Sequence, residues 1–161
     1  IKWAVTKGDR VAPLPSSSGS NSQSSKGGSL QIIRRFPFSS ALKRMSTISY
    51  RQSHPTAPKQ VWVACKGAPE TLKHMFENVP ADYDEHYKTW ARRGKRVLAL
   101  GYKTLSTSSS SDVLSIKGIR ELHRGDVESG LTFGGFLIFW CPLKEDSVDA
   151  IRMLNESSHR V

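Results

Sequence analysis

Lys66-Gly67-Ala68-Pro69-Glu70 is the stretch on which the reading of this chain turns. Before it runs Gln60-Val61-Trp62-Val63-Ala64-Cys65, rich in β-branched and aromatic residues, which predicts a buried strand. After it, Pro69 to about Val79 reads as a helix, because Leu72, Met75, Phe76 and Val79 recur at helical spacing. Pro69 suits the first turn of a helix, where its missing N–H costs nothing, and Glu70 there meets the positive end of the dipole. Gly67 lets the chain turn sharply and lets another group come close to the backbone. A strand that ends in a lysine and a glycine beside a helix N-terminus favours an anion or a nucleotide. The plainer reading of the same residues is a strand-to-helix turn with a solvated lysine, and spacing alone does not separate the two.

Working upstream, Leu30 to Phe38 reads as a strand whose period of two puts Ile32, Arg34, Phe36 and Phe38 on one face. Ser39 to Leu42 is a turn, and Lys43 to Tyr50 is a second strand. Arg51 to Lys59, with Pro55 and Pro58, loops into the strand that ends at Cys65. Connections this short predict an antiparallel meander. Pro13 to Ser29 is rich in serine and glycine, cannot bury apolar surface, and is expected to be a flexible insert. Ile1 to Val5 reads as the tail of a helix.

Downstream, Asp82 is placed to cap a helix through about Arg93, with Tyr83, Tyr87 and Trp90 on one face and Gly94 as its stop. Lys95 to Lys103 is a fourth strand, Ser106 to Ser111 a second low-complexity loop, and Asp112 to about His123 a short helix. Leu131 to Cys141 is a long apolar strand with Gly134-Gly135 as a bulge. Asp146 or Ser147 then caps a last helix with Val148, Ile151 and Leu154 turned inward.

The 161 residues, 37% hydrophobic, suit one domain with one core. No apolar run approaches the ~18 residues of a membrane span, so no direct membrane contact is expected. The chain opens Ile1-Lys2-Trp3, without a leader or a Met, and is expected to be an internal segment. Cys65 and Cys141 lie in apolar runs, which fits a reduced, cytosolic setting. The histidines lack metal-ligand spacing, and there is neither a phosphate-binding glycine loop with its lysine nor a nucleophile elbow. No metal site and no catalytic constellation are expected. The net charge of +10 raises nucleic acid as a partner. The basic residues come in pairs, however, such as Arg34-Arg35, Lys43-Arg44, Arg92-Arg93 and Lys95-Arg96, not in one block.

Lys66-Gly67-Ala68-Pro69-Glu70 resembles the signature of the nucleotide-binding (N) domain of P-type ATPases, and three further motifs stand with it in the family's order. Phe36-Pro37-Phe38-Ser39-Ser40-Ala41-Leu42-Lys43-Arg44-Met45-Ser46 is similar to the family's phenylalanine-to-lysine segment. Gly94-Lys95-Arg96-Val97-Leu98-Ala99-Leu100-Gly101 is similar to the strand that carries a phosphate-facing arginine. Pro142-Leu143-Lys144-Glu145-Asp146-Ser147 is similar to the hinge that returns to the phosphorylation (P) domain. The resemblance covers about Gln31 to Val161. The wording of the motifs, with Cys141-Pro142-Leu143-Lys144 and Ser158-His159-Arg160-Val161, resembles type V pumps, subgroup A of the endoplasmic reticulum. Subgroup B, of the endolysosomal system, is the near alternative.

The resemblance implies an α+β fold, a twisted antiparallel sheet of about six strands flanked by helices. It implies an N domain over residues 1–141 and the hinge with the start of the P domain over 142–161. It implies ATP as ligand, with adenine stacked on Phe38, Lys43 at the same mouth, Lys66 at the deep end, Gly67 as the floor and Arg96 near the phosphates. A purine on an aromatic face gains ~1–3 kcal/mol without any base-edge code, and a guanidinium fork suits phosphate oxygens. Magnesium would come with the nucleotide. The partners implied are the phosphorylation and actuator domains of the parent chain, which would be an endoplasmic-reticulum pump removing misplaced transmembrane helices. The family's Asp-Lys-Thr-Gly-Thr, Thr-Gly-Glu and Gly-Asp-Gly motifs are absent from these residues, so this chain alone is not expected to turn over ATP. Ser40 stands where calcium-pump relatives carry an arginine, and Cys141 where many relatives have the hinge aspartate. The family's acidic adenine-holding residue is not among these residues either, and weak affinity is expected. Two other functions fit parts of the pattern: a nucleic-acid module using the charge with Phe36, Phe38, Trp62 and Trp90, or a regulatory domain of the same fold that binds no nucleotide.

Overall fold

The computed structural model describes residues 3–13, 28–54, 56–105 and 115–157. Eight strands form one sheet: β1 (Trp3–Thr6), β2 (Arg10–Pro13), β3 (Ser29–Ser39), β4 (Arg44–Gln52), β5 (Gln60–Gly67), β6 (Phe76–Asn78), β7 (Arg96–Leu105) and β8 (Leu131–Phe139). Their spatial order is β1-β2-β3-β4-β5-β7-β8-β6. The helices are α1 (Pro69–Leu72), α2 (Tyr83–Arg92), α3 (Ile116–Glu121), α4 (Arg124–Val127) and α5 (Ser147–Glu156).

The expected meander is the centre of the sheet. β3 pairs with β4 and β4 with β5, both antiparallel, and β7 closes on β5 with Lys66 opposite Leu100 and Gly67 opposite Ala99. Apolar residues alternate along these strands, and one face is buried: Ile48, Val61, Val63 and Ala99 are fully enclosed, as are Leu72, Ile119 and Leu131 that pack on them. Burying each such side chain contributes roughly 1.5–3 kcal/mol. Tyr83 anchors α2 here, with its hydroxyl donating to the Pro69 carbonyl at 2.9 Å and its ring edge-on to Phe76 and Phe133. The other face, with Trp62, Ala64, Lys66 and Tyr102, is half-buried to exposed.

Several boundaries differ from the sequence reading. The α+β class holds, but the sheet has eight strands and is mixed, because β6 runs parallel to β8. The first residues form a strand, not a helix tail: Gly8 and Asp9 take left-handed φ of 82° and 59°, which turns β1 back onto β2 as a hairpin. The helix expected from Pro69 to Val79 is only α1 plus a 3₁₀ turn, Lys73–Met75. Val79 precedes Pro80, which disfavours the helical conformation there, and Phe76 gains more by extending into the core beside Leu131. α3 begins at Ile116 with Ser115 as its cap, the Ser115 hydroxyl accepting from Gly118 N–H at 3.0 Å. α4 follows as a separate turn. The bulge at Gly134-Gly135 is present: Leu100 faces Gly135, Gly101 faces Phe133, and Gly135 has φ of 117°. α5 is where it was expected, but Val148, Ile151 and Leu154 are 70%, 48% and 44% exposed, not inward. Cys65 is buried and Cys141 exposed. Residues 14–27, the body of the expected insert, and the loop 106–111 lie outside the described residues, as does Asp112.

Candidate functional site

Strands β3, β4 and β5 end together, and that end carries most of the residues singled out by sequence. Phe38 is the penultimate residue of β3 and is 62% exposed. The period of two put it on one face with Phe36. The register instead slips between Phe36 and Ser39, and Phe36 is only 8% exposed. Arg34 lies over the Phe36 ring at 4.3 Å and Arg124 at 5.8 Å. The slip separates a core phenylalanine from a free one two residues on.

The turn between β3 and β4 closes through Lys43 N–H donating to Ser39 O at 2.7 Å, and Lys43 takes a left-handed φ of 50°. Its ammonium sits 3.6 Å from Glu70 at the start of α1, both side chains more than half exposed. Such exposed pairs contribute ~0–1 kcal/mol.

Gly67 explains how β5 fits under this turn. A Cβ there would lie 2.5 Å from Leu72 Cδ1 and 2.7 Å from both Arg44 Cβ and the Lys43 carbonyl. The close approach predicted for this glycine is made by the chain itself, and Ala68 N–H donates to Lys43 O at 3.0 Å beside it. Lys66, one residue earlier, points to the opposite face and is exposed, paired with Met45 and Leu100 on its flanks. Arg96 opens β7, exposed, on the same face as Leu98 and Leu100 by alternation, about 13 Å further along the strand than Leu100. Phe38, Lys43, Gly67 and Lys66 therefore cluster at one end of the meander. Arg96 stands beyond them at the start of the adjoining strand.

Beneath the turn lies a group that sequence reasoning passed over. Glu128, at the end of α4, is 2% exposed. Burial pushes its carboxyl up, but hydrogen bonds from Ser46, Arg44 and Arg124 outweigh burial and hold it below the ordinary glutamate range. It is 82 residues from Ser46 and 84 from Arg44, so its only local sign is the i,i+4 spacing from Arg124.

The donor set fits an adenine nucleotide in kind: one exposed aromatic face and two lysines at one end of a sheet, and an arginine further along the face of Lys66. Among the described residues no cluster of three or more acidic, histidine or cysteine side chains could hold a metal ion. A small cavity of about 190 Å³, lined by Gly28, Ser29, Leu30, Arg51, Gln52 and Ser53, sits at the opposite end of the β3–β4 pair. It is smaller than the ~300 Å³ lower bound of ligand pockets. Phe36 and Phe38 form no joint platform, and Trp62 is stacked on Tyr102 at 4.9 Å under Arg51. The aromatic interleaving that a nucleic-acid surface would use is thus dispersed.

The family model for the P-type ATPase cytoplasmic domain N matches residues 18–146. The chain belongs to this N-domain family. Among curated proteins, the domain is 53% identical over 133 residues to the endoplasmic reticulum transmembrane helix translocase of Saccharomyces cerevisiae, covering 83% of this chain and 10% of that one. The protein of the same name in Schizosaccharomyces pombe is 47% identical over 133 residues, with the same shares. A probable manganese-transporting ATPase, PDR2, of Arabidopsis thaliana is 38% identical over 159 residues, 99% of this chain and 12% of that protein. The N domain described here thus spans about a tenth of the length of these relatives. The names of the two yeast proteins agree with the resemblance to endoplasmic-reticulum pumps read from the motifs.

Proposed function

We propose that this N domain binds ATP by its adenine and presents the γ-phosphate to an aspartate elsewhere in a longer P-type ATPase. The observation that carries this is the meeting of exposed Phe38 with Lys43 and Lys66 at one end of the sheet, with Arg96 further along the same face as Lys66. In this reading adenine stacks on Phe38, Lys66 lines the inner end of its site, Lys43 holds the mouth, and Arg96 meets the phosphates. Gly67 contributes by letting the Lys43 turn sit down on β5. Magnesium would arrive with the triphosphate and neutralise its charge. The domain's own part is to hold and orient, which is most of what phosphoryl transfer asks of a protein.

The domain would span residues 1–141, with 142–161 as the hinge toward a phosphorylation domain. β8 ends at Phe139, and the family match ends at residue 146. Its partners would be the phosphorylation and actuator domains of the same pump. The names of the yeast relatives support a cytosolic placement on an endoplasmic-reticulum membrane protein that moves transmembrane helices. No helix among the described residues is long and apolar enough to cross a membrane.

An NMR titration with ATP, AMP and a short oligonucleotide tests the reading, in wild type and Phe38→Ala. Saturable ATP shifts at Phe38, Lys43, Lys66 and Arg96 that vanish in the variant are the expected result. A folded domain that gives no ATP shifts would refute it, and steeply salt-dependent oligonucleotide binding would point to the basic surface instead.

A further inference from the structure

Glu128 makes more contacts than a capping residue needs. Ser46 Oγ donates to its Oε1 at 2.7 Å, Arg124 Nε to Oε1 at 2.9 Å, and Arg44 Nε to Oε2 at 2.5 Å. Both carboxylate oxygens are satisfied, which a buried charge requires. The two arginines spend further N–H groups on main-chain carbonyls. Arg124 Nη2 donates to Arg44 O at 3.0 Å and to Pro37 O at 3.4 Å, and Arg44 Nη1 donates to Leu42 O at 3.3 Å. Pro37 precedes Phe38, Leu42 precedes Lys43, and Arg44 follows it. The three carbonyls bracket the exposed segment that carries the ring and the ammonium.

We infer that Glu128 is a positioning residue for nucleotide: through Arg44 and Arg124 it fixes the turn that presents Phe38 and Lys43. The inference rests on the ATP reading above. Its physical logic is that this turn has little burial of its own. Ser40, Leu42 and Lys43 are exposed, and Lys43 holds a left-handed φ of 50° that the surroundings must impose. An apolar cluster in place of Glu128 could match the stability of the ion network, but it could not grip three carbonyls. The grip needs planar forks with several donors each, which arginine offers and lysine does not.

The test is an ATP titration of the 161-residue chain, read by NMR. It compares wild type, Glu128→Gln, Phe38→Ala and the double variant, each well below its own melting midpoint. Glu128→Gln is expected to keep native shifts along β5 and β7, to move the amides of residues 38–43, and to weaken ATP binding about five- to twentyfold. In the Phe38→Ala background the same change should cost less than twofold, because the stacking it positions is already gone. A merely structural role would not produce that coupling. Should Glu128→Gln not fold, Arg124→Lys keeps the charge, loses the double reach, and gives the same readout. A folded variant that binds ATP within twofold of wild type, or an equal loss in both backgrounds, overturns the inference. Wild type without saturable ATP binding overturns the ATP reading itself, and the positioning role with it.

Discussion

Cys65 and Lys66 are neighbours in β5, yet one is 3% exposed among Val63, Leu72 and Ala99 while the other stands out on the open face. The same contrast runs through the whole sheet. The helix-covered face holds Ile48, Val61, Val63 and Ala99 with no accessible surface. The open face holds Trp62, Lys66, Tyr102 and Arg96, each with part of its surface free. A strand side chain belongs to one face or the other, so stability and ligand contact can be assigned to alternate residues of one strand. Changes to these four apolar residues of the covered face should unfold the domain without altering affinity in the folded fraction. Changes on the open face should do the reverse.

Ile48→Ala is the strongest way to strain that division. It should cost about 3 kcal/mol in urea denaturation, while ATP affinity measured on folded protein stays within twofold. Gly67→Ala comes close behind, at about 2–3 kcal/mol from overpacking against Leu72 and Arg44. It crosses the division, since the displaced turn also carries Lys43, so affinity should fall with stability. Phe38→Ala is the mirror image. Its stability should change by less than ~0.5 kcal/mol, as for an exposed side chain, and its ATP affinity should drop at least about tenfold, from lost stacking.

The pH dependence of folding probes the covered face without any mutation at the site. Glu128 has its carboxyl pKa lowered in the folded state: burial opposes this, and Ser46, Arg44 and Arg124 override it. Its contribution is therefore present above the ordinary glutamate value of 4.5 and is lost as pH falls through the lower folded value. Denaturation midpoints taken between neutral pH and about pH 3 should decline more steeply in wild type than in Glu128→Gln. The smallest effect belongs to Glu70→Ala. It removes the exposed Lys43–Glu70 pair and should change the unfolding free energy by under ~0.5 kcal/mol.

How much of this could be read beforehand follows from the range of the forces involved. The β3–β4–β5 meander was legible because alternation and short connections are local, and so was the bulge at Gly134-Gly135. The family motifs named Phe38, Lys43, Lys66, Gly67 and Arg96, and the structure gathers four of the five at one sheet end. What was not legible depends on contacts distant in sequence. Leu72, Met75, Phe76 and Val79 have true helical spacing, but a parallel bridge to Leu131 draws Phe76 into a strand. Phe36 and Phe38 look equivalent until the register slip separates them. The helical stripe of Val148, Ile151 and Leu154 was read correctly as a stripe, but periodicity says nothing of what a stripe faces. Glu128 gave little signal, because two of its three partners, Arg44 and Ser46, come from the far end of the chain.

The two cysteines differ as sharply as the two faces, and this bears on labelling. The Cys65 thiol, buried and beside Glu128, has its pKa pushed up to about 12, so almost none is thiolate at neutral pH. Cys141 lies exposed next to Trp140, just past the end of β8. A maleimide dye added to the folded native chain should therefore attach at one position. That position adjoins the stretch proposed as the hinge, so fluorescence could be read there without first engineering a cysteine out.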